Sequence, residues 1–204
     1  MEKAHTPYLD YIYLMDSLRD YASPKSKLTT MIKSGEVIKL RRGLFLDSRA
    51  EYSIKTLANK IYGPSYISFE YALSYYNLIP ERVETVTCAS YSKNKSRRFD
   101  TPVGSFLYRS LPRAAYPYGI ARLEEGNNPF LIATREKALC DTLSKISGVA
   151  SMKALSVTLF GNLRIDREEL SAINVKDVAL LAPLYRKKTV SLFLQYLQKE
   201  APRA

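Results

Sequence analysis

The chain has 204 residues, 46% hydrophobic and 25% charged, which is enough apolar material for one or two buried cores and excludes a disordered or low-complexity tail. Its 31 Lys and Arg against 20 Asp and Glu leave a formal charge of +11, a balance that suits a polyanion such as nucleic acid or an acidic protein and is also met by an ordinary basic surface. The opening Met1 to Pro7 carries no apolar core of a signal peptide and no later run approaches the roughly 18 to 20 apolar residues of a membrane helix, so a cytoplasmic protein without membrane contact is expected.

Apolar residues at Tyr8, Tyr11, Ile12, Met15 and Leu18 recur at three-and-four spacing, which predicts a first helix over 8–21. Ser23-Pro24 supplies an N-cap side chain and then a residue whose fixed φ and missing N–H suit a first helical turn; a second helix starts there and ends at Gly35. Glu36 to Leu46 holds two short β-prone runs around Arg41-Arg42-Gly43, where glycine can take positive φ and close a hairpin. The order helix, helix, basic hairpin over residues 1–46 has the look of a winged helix-turn-helix.

The stretch 47–64 is more polar and reads as a linker with a short helix at 53–62, broken by Gly63-Pro64. From 65 onward the patterns predict a strand at 65–68, a helix at 69–78 capped by Ser68, and a strand at 83–89. A hairpin of 99–101 and 105–110 follows around Pro102-Val103-Gly104, then a strand pair around Gly126 to Pro129. Thr134 caps a helix to about 146, and further helices fall at 151–160, 167–173, 175–185 and 188–199. Strands followed by helices make 65–204 a mixed α/β domain ending in helices, and the whole chain an α+β protein with an N-terminal winged helix.

With Leu28, Met31 and Ile32 as the buried stripe of the second helix, Ser26, Thr30 and Lys33 project opposite, flanked by Lys25, Lys27 and Thr29. Such a small, polar, cationic face fits a major groove, where hydroxyls meet base edges and lysine reaches guanine or phosphate. Lys39, Arg41 and Arg42 load the hairpin with charge for the neighbouring backbone or minor groove. A second basic run, Lys93, Lys95, Arg97 and Arg98, is followed by Arg109 and Arg113, with Asp100 the one acid between 93 and 113. Strand alternation turns Arg109 away from Phe106 and Tyr108, and the six cations are expected to form one electropositive face for DNA or a partner. For any single lysine a solvated surface is the simpler account, and Tyr71, Tyr75 and Tyr76 fit core or rim packing better than base stacking.

Little in the sequence builds a catalytic site. A nucleophile–base pair would need His5, the lone histidine; Cys88 and Cys140 sit in no activating, disulfide or zinc pattern; Gly-rich phosphate loops and acidic-x-Lys triplets do not occur. No cofactor, metal or catalytic residue is therefore expected. A metal-dependent nuclease built on Glu81, Glu84, Glu124 and Glu125 is the minor alternative.

Three stretches carry a resemblance: Tyr66 to Glu81 (YISFEYALSYYNLIPE), Phe99 to Arg109 (FDTPVGSFLYR) and Ile132 to Asp141 (IATREKALCD), in that order after a basic hairpin ending LRRGLF at Leu40 to Phe45. Together they resemble the AbiEi family, antitoxins of abortive-infection, type IV toxin–antitoxin systems, over roughly residues 8 to 146. The resemblance implies a bacterial phage-defence protein whose winged helix represses its own operon and whose second domain counters a nucleotidyltransferase-like toxin. It places the DNA-reading helix on Lys25 to Lys33 and the wing on Lys39, Arg41 and Arg42. Two helices precede the wing here, where a fuller winged helix has three, and Arg135 stands where proline is frequent. In the last stretch Thr134 caps a helix, Glu136 complements its positive end and Ala138-Leu139 packs inward. A regulator with no toxin partner is the runner-up reading.

Overall fold

The computed structural model describes residues 6–93 and 95–200; His5 and Asn94 lie outside them. The first sheet has three antiparallel strands, β1 (Tyr8–Asp10), β2 (Val37–Arg41) and β3 (Leu44–Asp47), in the order β1-β3-β2. Between β1 and β2 come α1 (Tyr11–Ser17) and α2 (Pro24–Lys33). The helix expected over 8–21 is thus shortened at both ends. Tyr8 to Asp10 pairs with Leu44 to Leu46, and the Asp10 carboxylate accepts from the Tyr13 N–H at 2.8 Å, which starts the helix after the strand. Its stripe also differs: Leu14 and Leu18 are buried, whereas Ile12 is 81% exposed.

The second helix starts after Ser23 with Pro24 in its first turn, although the Ser23 hydroxyl donates to Ser26 Oγ rather than accepting from the backbone. Leu28 anchors it in a small core with Leu9, Leu14, Leu18, Val37 and Phe45, and Met31 and Ile32 pack on the edge. Gly43 turns the hairpin at φ +79°, a conformation that costs a residue with a Cβ. The other face of this sheet turns Leu40, Leu44 and Leu46 into the larger core.

That larger core is built on a six-stranded mixed sheet of β4 (Ser65–Ile67), β5 (Val86–Ser90), β6 (Arg97–Thr101), β7 (Gly104–Ser110), β8 (Ile120–Glu125) and β9 (Asn128–Ala133). Its order is β6-β7-β5-β4-β9-β8, with β5–β7 and β4–β9 parallel and the other pairs antiparallel. The helix expected in 47–64 is α3 (Ile54–Ile61), capped by the Ser53 hydroxyl; its Leu57, Ala58 and Ile61 are fully buried in this core. Tyr108 on β7 donates its hydroxyl to the Ala58 carbonyl at 2.6 Å, which fixes α3 on one face of the sheet.

Helices α4 (Phe69–Tyr75) and α5 (Arg135–Ser144) cover the other face. Ser68 takes the N-cap position of α4 without the expected side-chain cap. Its hydroxyl donates instead to Asp141 at 2.6 Å. The chain ends in α6 (Met152–Ser156), a π-helical turn over Val157–Asn162, α7 (Arg167–Ser171), α8 (Val175–Tyr185) and α9 (Lys188–Glu200). The fold is mixed α+β with two sheets. Among the described residues no helix is long and apolar enough to cross a membrane.

Candidate nucleic-acid interface

Burial of Leu28 against the first sheet fixes which side of α2 meets solvent. Lys25, Ser26, Thr29, Thr30 and Lys33 are exposed, and Lys27 is half-buried with its ammonium 5.1 Å from the Tyr21 ring centre. The hydroxyls of Thr29 and Thr30 donate to the carbonyls of Lys25 and Ser26 one turn back, so their lone pairs face outward while their protons are held by the helix. The first turn of α2 carries no acid, leaving its positive end uncompensated. Lys39, Arg41 and Arg42 are exposed on the hairpin, and Arg41 reaches back to the Arg42 carbonyl at 2.8 Å. None of the three makes an ion pair among the described residues.

The second basic run does not gather on one face. In the β6–β7 register Arg97 stands opposite Tyr108 and Arg98 opposite Leu107, so the two arginines alternate across the sheet. The Ser105 hydroxyl donates to Asp100 at 2.6 Å and Arg98 pairs with the same carboxylate at 2.9 Å, which together keep that carboxyl below its usual range. Arg109 departs furthest from expectation. It lies off the Phe106 and Tyr108 face, as alternation requires, yet it pairs with Glu70 of α4 at 2.7 and 3.0 Å and lies 5.0 Å from the Phe69 ring centre, so it braces a helix on the sheet instead of offering charge to solvent. Arg113 donates to the Ser92 hydroxyl at 3.0 and 2.6 Å.

Lys93, Lys95 and Arg97 remain without an acidic partner among the described residues; the Lys93 ammonium lies 5.1 Å from the Tyr62 ring centre. Of this subset Arg97 lies on β6, the strand nearest the hairpin. Edge strand β6 lies beside β2, and Arg97 stands opposite Tyr108 in the β6–β7 register. Two segments far apart in sequence thus lie side by side.

Sequence reasoning missed the most enclosed charges in the chain. Lys137 and Asp141, one turn apart on α5, are fully buried with Nζ to Oδ1 at 3.1 Å. Lys137 spends its three donors on Asp141, the Ala115 carbonyl at 2.6 Å and the Tyr185 hydroxyl at 2.7 Å. Asp141 accepts in addition from Tyr66 at 3.0 Å, Ser68 at 2.6 Å and Tyr185. Burial pulls the Lys137 ammonium down and Asp141 opposes it; burial and then Asp141 push the Tyr66 and Tyr185 phenols up. With each donor and acceptor filled from within, the cluster is a structural tie between α5, α8 and β4. The signal was present as two opposite charges four apart flanking the apolar Ala138-Leu139-Cys140 of the helix.

The alternative nuclease acids stand apart. Glu81 pairs with Arg164 at 2.8 Å, Glu124 with Arg122 at 3.3 Å and Glu125 with Lys55 at 2.6 Å, and Glu84 is exposed. Among the described residues no group of three or more metal-binding side chains comes together. Cys88 and Cys140 are free and buried, and burial pushes both thiols up, which disfavours the reactive thiolate. No protein-family model matches the chain, and no curated protein matches it.

Proposed function

We propose that the chain is a transcriptional repressor that binds double-stranded DNA through a winged helix formed by its first sheet, α1 and α2. In this reading α2 enters the major groove with Lys25, Ser26, Thr29, Thr30 and Lys33 toward the bases and phosphates, and Lys39, Arg41 and Arg42 grip the adjacent backbone. The observation that carries it is the unpaired cationic face of α2 and the hairpin, with Arg97 on β6, the strand beside the hairpin, where flanking phosphates would run. Duplex from upstream of the gene should bind more tightly than a scrambled duplex, and Thr30→Ala should change the preference between operator variants. Equal binding to both duplexes would defeat the proposal.

The resemblance to the AbiEi stretches extends the reading to an antitoxin working in the cytoplasm without catalysis or cofactor. Residues 65–204 then counter a nucleotidyltransferase-like toxin. Full-length protein with Arg41→Ala and Arg42→Ala should lose repression yet still rescue growth from a co-expressed cognate toxin. Loss of rescue together with DNA binding would contradict this division of labour.

A further inference from the structure

Leu180 on α8 is 74% exposed, and Tyr118 beside it is 57% exposed. Between them opens a cavity of about 510 Å³ lined also by Gly119, Thr134, Leu181 and Leu184. Exposed apolar side chains around a recess are available for contact with another surface. Asp177, Leu180 and Leu184 follow one another at helical spacing along a single stripe, and Asp177 lies at the cavity rim. Just past the other end of the helix come Arg186, Lys187 and Lys188. All four of these charged residues are exposed, and none makes an ion pair among the described residues.

A protruding leucine beside a recess large enough to admit it, with an acid at one end of the stripe and bases at the other, is complementary to itself. Turned about a two-fold axis across the helix, each Leu180 enters the other copy's recess and each Asp177 faces the other copy's basic 186–188 stretch. The antiparallel helix dipoles favour the same arrangement. A foreign apolar segment would fill the recess but leave acid and bases without counter-charges. We propose that α8 and Tyr118 form a two-fold interface between two copies of this chain. The proposal stands apart from the DNA-binding reading, since it uses none of the residues of α2 or the hairpin.

Light scattering and sedimentation equilibrium of the full chain over a wide concentration range test it. The mass should rise to twice that of the chain. Leu180→Glu should hold it at the single-chain value with an unchanged melting temperature, because the side chain is already in water. Asp177→Lys should weaken self-association several-fold, and added salt should weaken it in the wild type. A single-chain mass at every concentration would overturn the proposal, as would a dimer undiminished by Leu180→Glu. A single-chain protein whose Leu180→Glu variant loses binding of some different protein would give the face to that protein and equally end the proposal.

Discussion

At Lys137 and Asp141 the desolvation of two ions, several kcal/mol each, is offset only because every lone pair and proton finds a partner. Lys137→Met leaves a buried carboxylate without its cation, and urea unfolding should show a loss of about 3–5 kcal/mol. A loss no larger than that of an ordinary surface substitution would mean the pair is not enclosed as described. Gly119 belongs to the same account: at φ +68° a Cβ there would come within 2.8 Å of the Lys137 Cβ, so glycine lets the lysine stem lie against the chain. Periodicity could not show this, because a pattern rule assigns lysine to the outside. Thr134, by contrast, was legible as a cap from sequence, and its hydroxyl oxygen does accept from the Lys137 N–H.

Tyrosines set the alkaline limit. Burial pushes Tyr76 and Tyr116 up to about 12 from 10.0, and raises Tyr66, Tyr108 and Tyr185 as well. A raised phenol keeps its proton longer in the folded chain, so its contribution is fully present below the unfolded value of 10.0 and drains away as pH climbs toward 12. Lys137 and Lys145, both held below 10.5 by burial, act in the opposite direction as pH approaches that value, but the raised phenols outweigh two lowered amines. The melting temperature should therefore fall steadily as pH rises above 10. A level profile through that range would contradict the burial assigned to these rings.

Among the elements, the difference between paired and unpaired arginines makes a graded prediction. Arg97→Ala should weaken binding to all DNA sequences more than Arg98→Ala, whose charge Asp100 already offsets, and each should change stability by less than about 0.5 kcal/mol. Arg109→Ala should instead cost about 1 kcal/mol of stability, through the Glu70 pair and the Phe69 ring, and leave DNA affinity nearly untouched. An Arg98 effect equal to that of Arg97 would mean the ion pair does not hold in solution. Alternation within β7 was readable from sequence; the acid that meets Arg109 comes from another element and was not. The same holds for β1, whose three residues are extended only because β3 offers an edge to pair with, while their own spacing reads as helix.

Across the whole molecule, element order after β1 was largely legible because breakers and caps such as Pro24, Gly43 and Thr134 are local signals. Shared cores were not. The hairpin's Leu40, Leu44 and Leu46 pack into the same apolar cluster as Leu57 and Ile61 of α3, so the basic hairpin and the six-stranded sheet meet through side chains rather than across a polar spacer. A cut at 65 would strip Leu57, Ala58 and Ile61 from the sheet they cover, so separation of functions is better sought with point substitutions in the full chain. The unpaired cations of the hairpin and of β6 sit together because of that packing, which makes their joint electrostatic action the central claim.

Salt dependence tests that claim most directly, through the affinity of the full chain for upstream duplex DNA, titrated with salt for wild type and for the Arg41→Ala, Arg42→Ala double variant. Each phosphate contact contributes about 0.9 to the slope of log affinity against log salt, so the variant should bind all sequences more weakly and with a slope shallower by about two. Superimposable titrations of the two proteins would contradict the account.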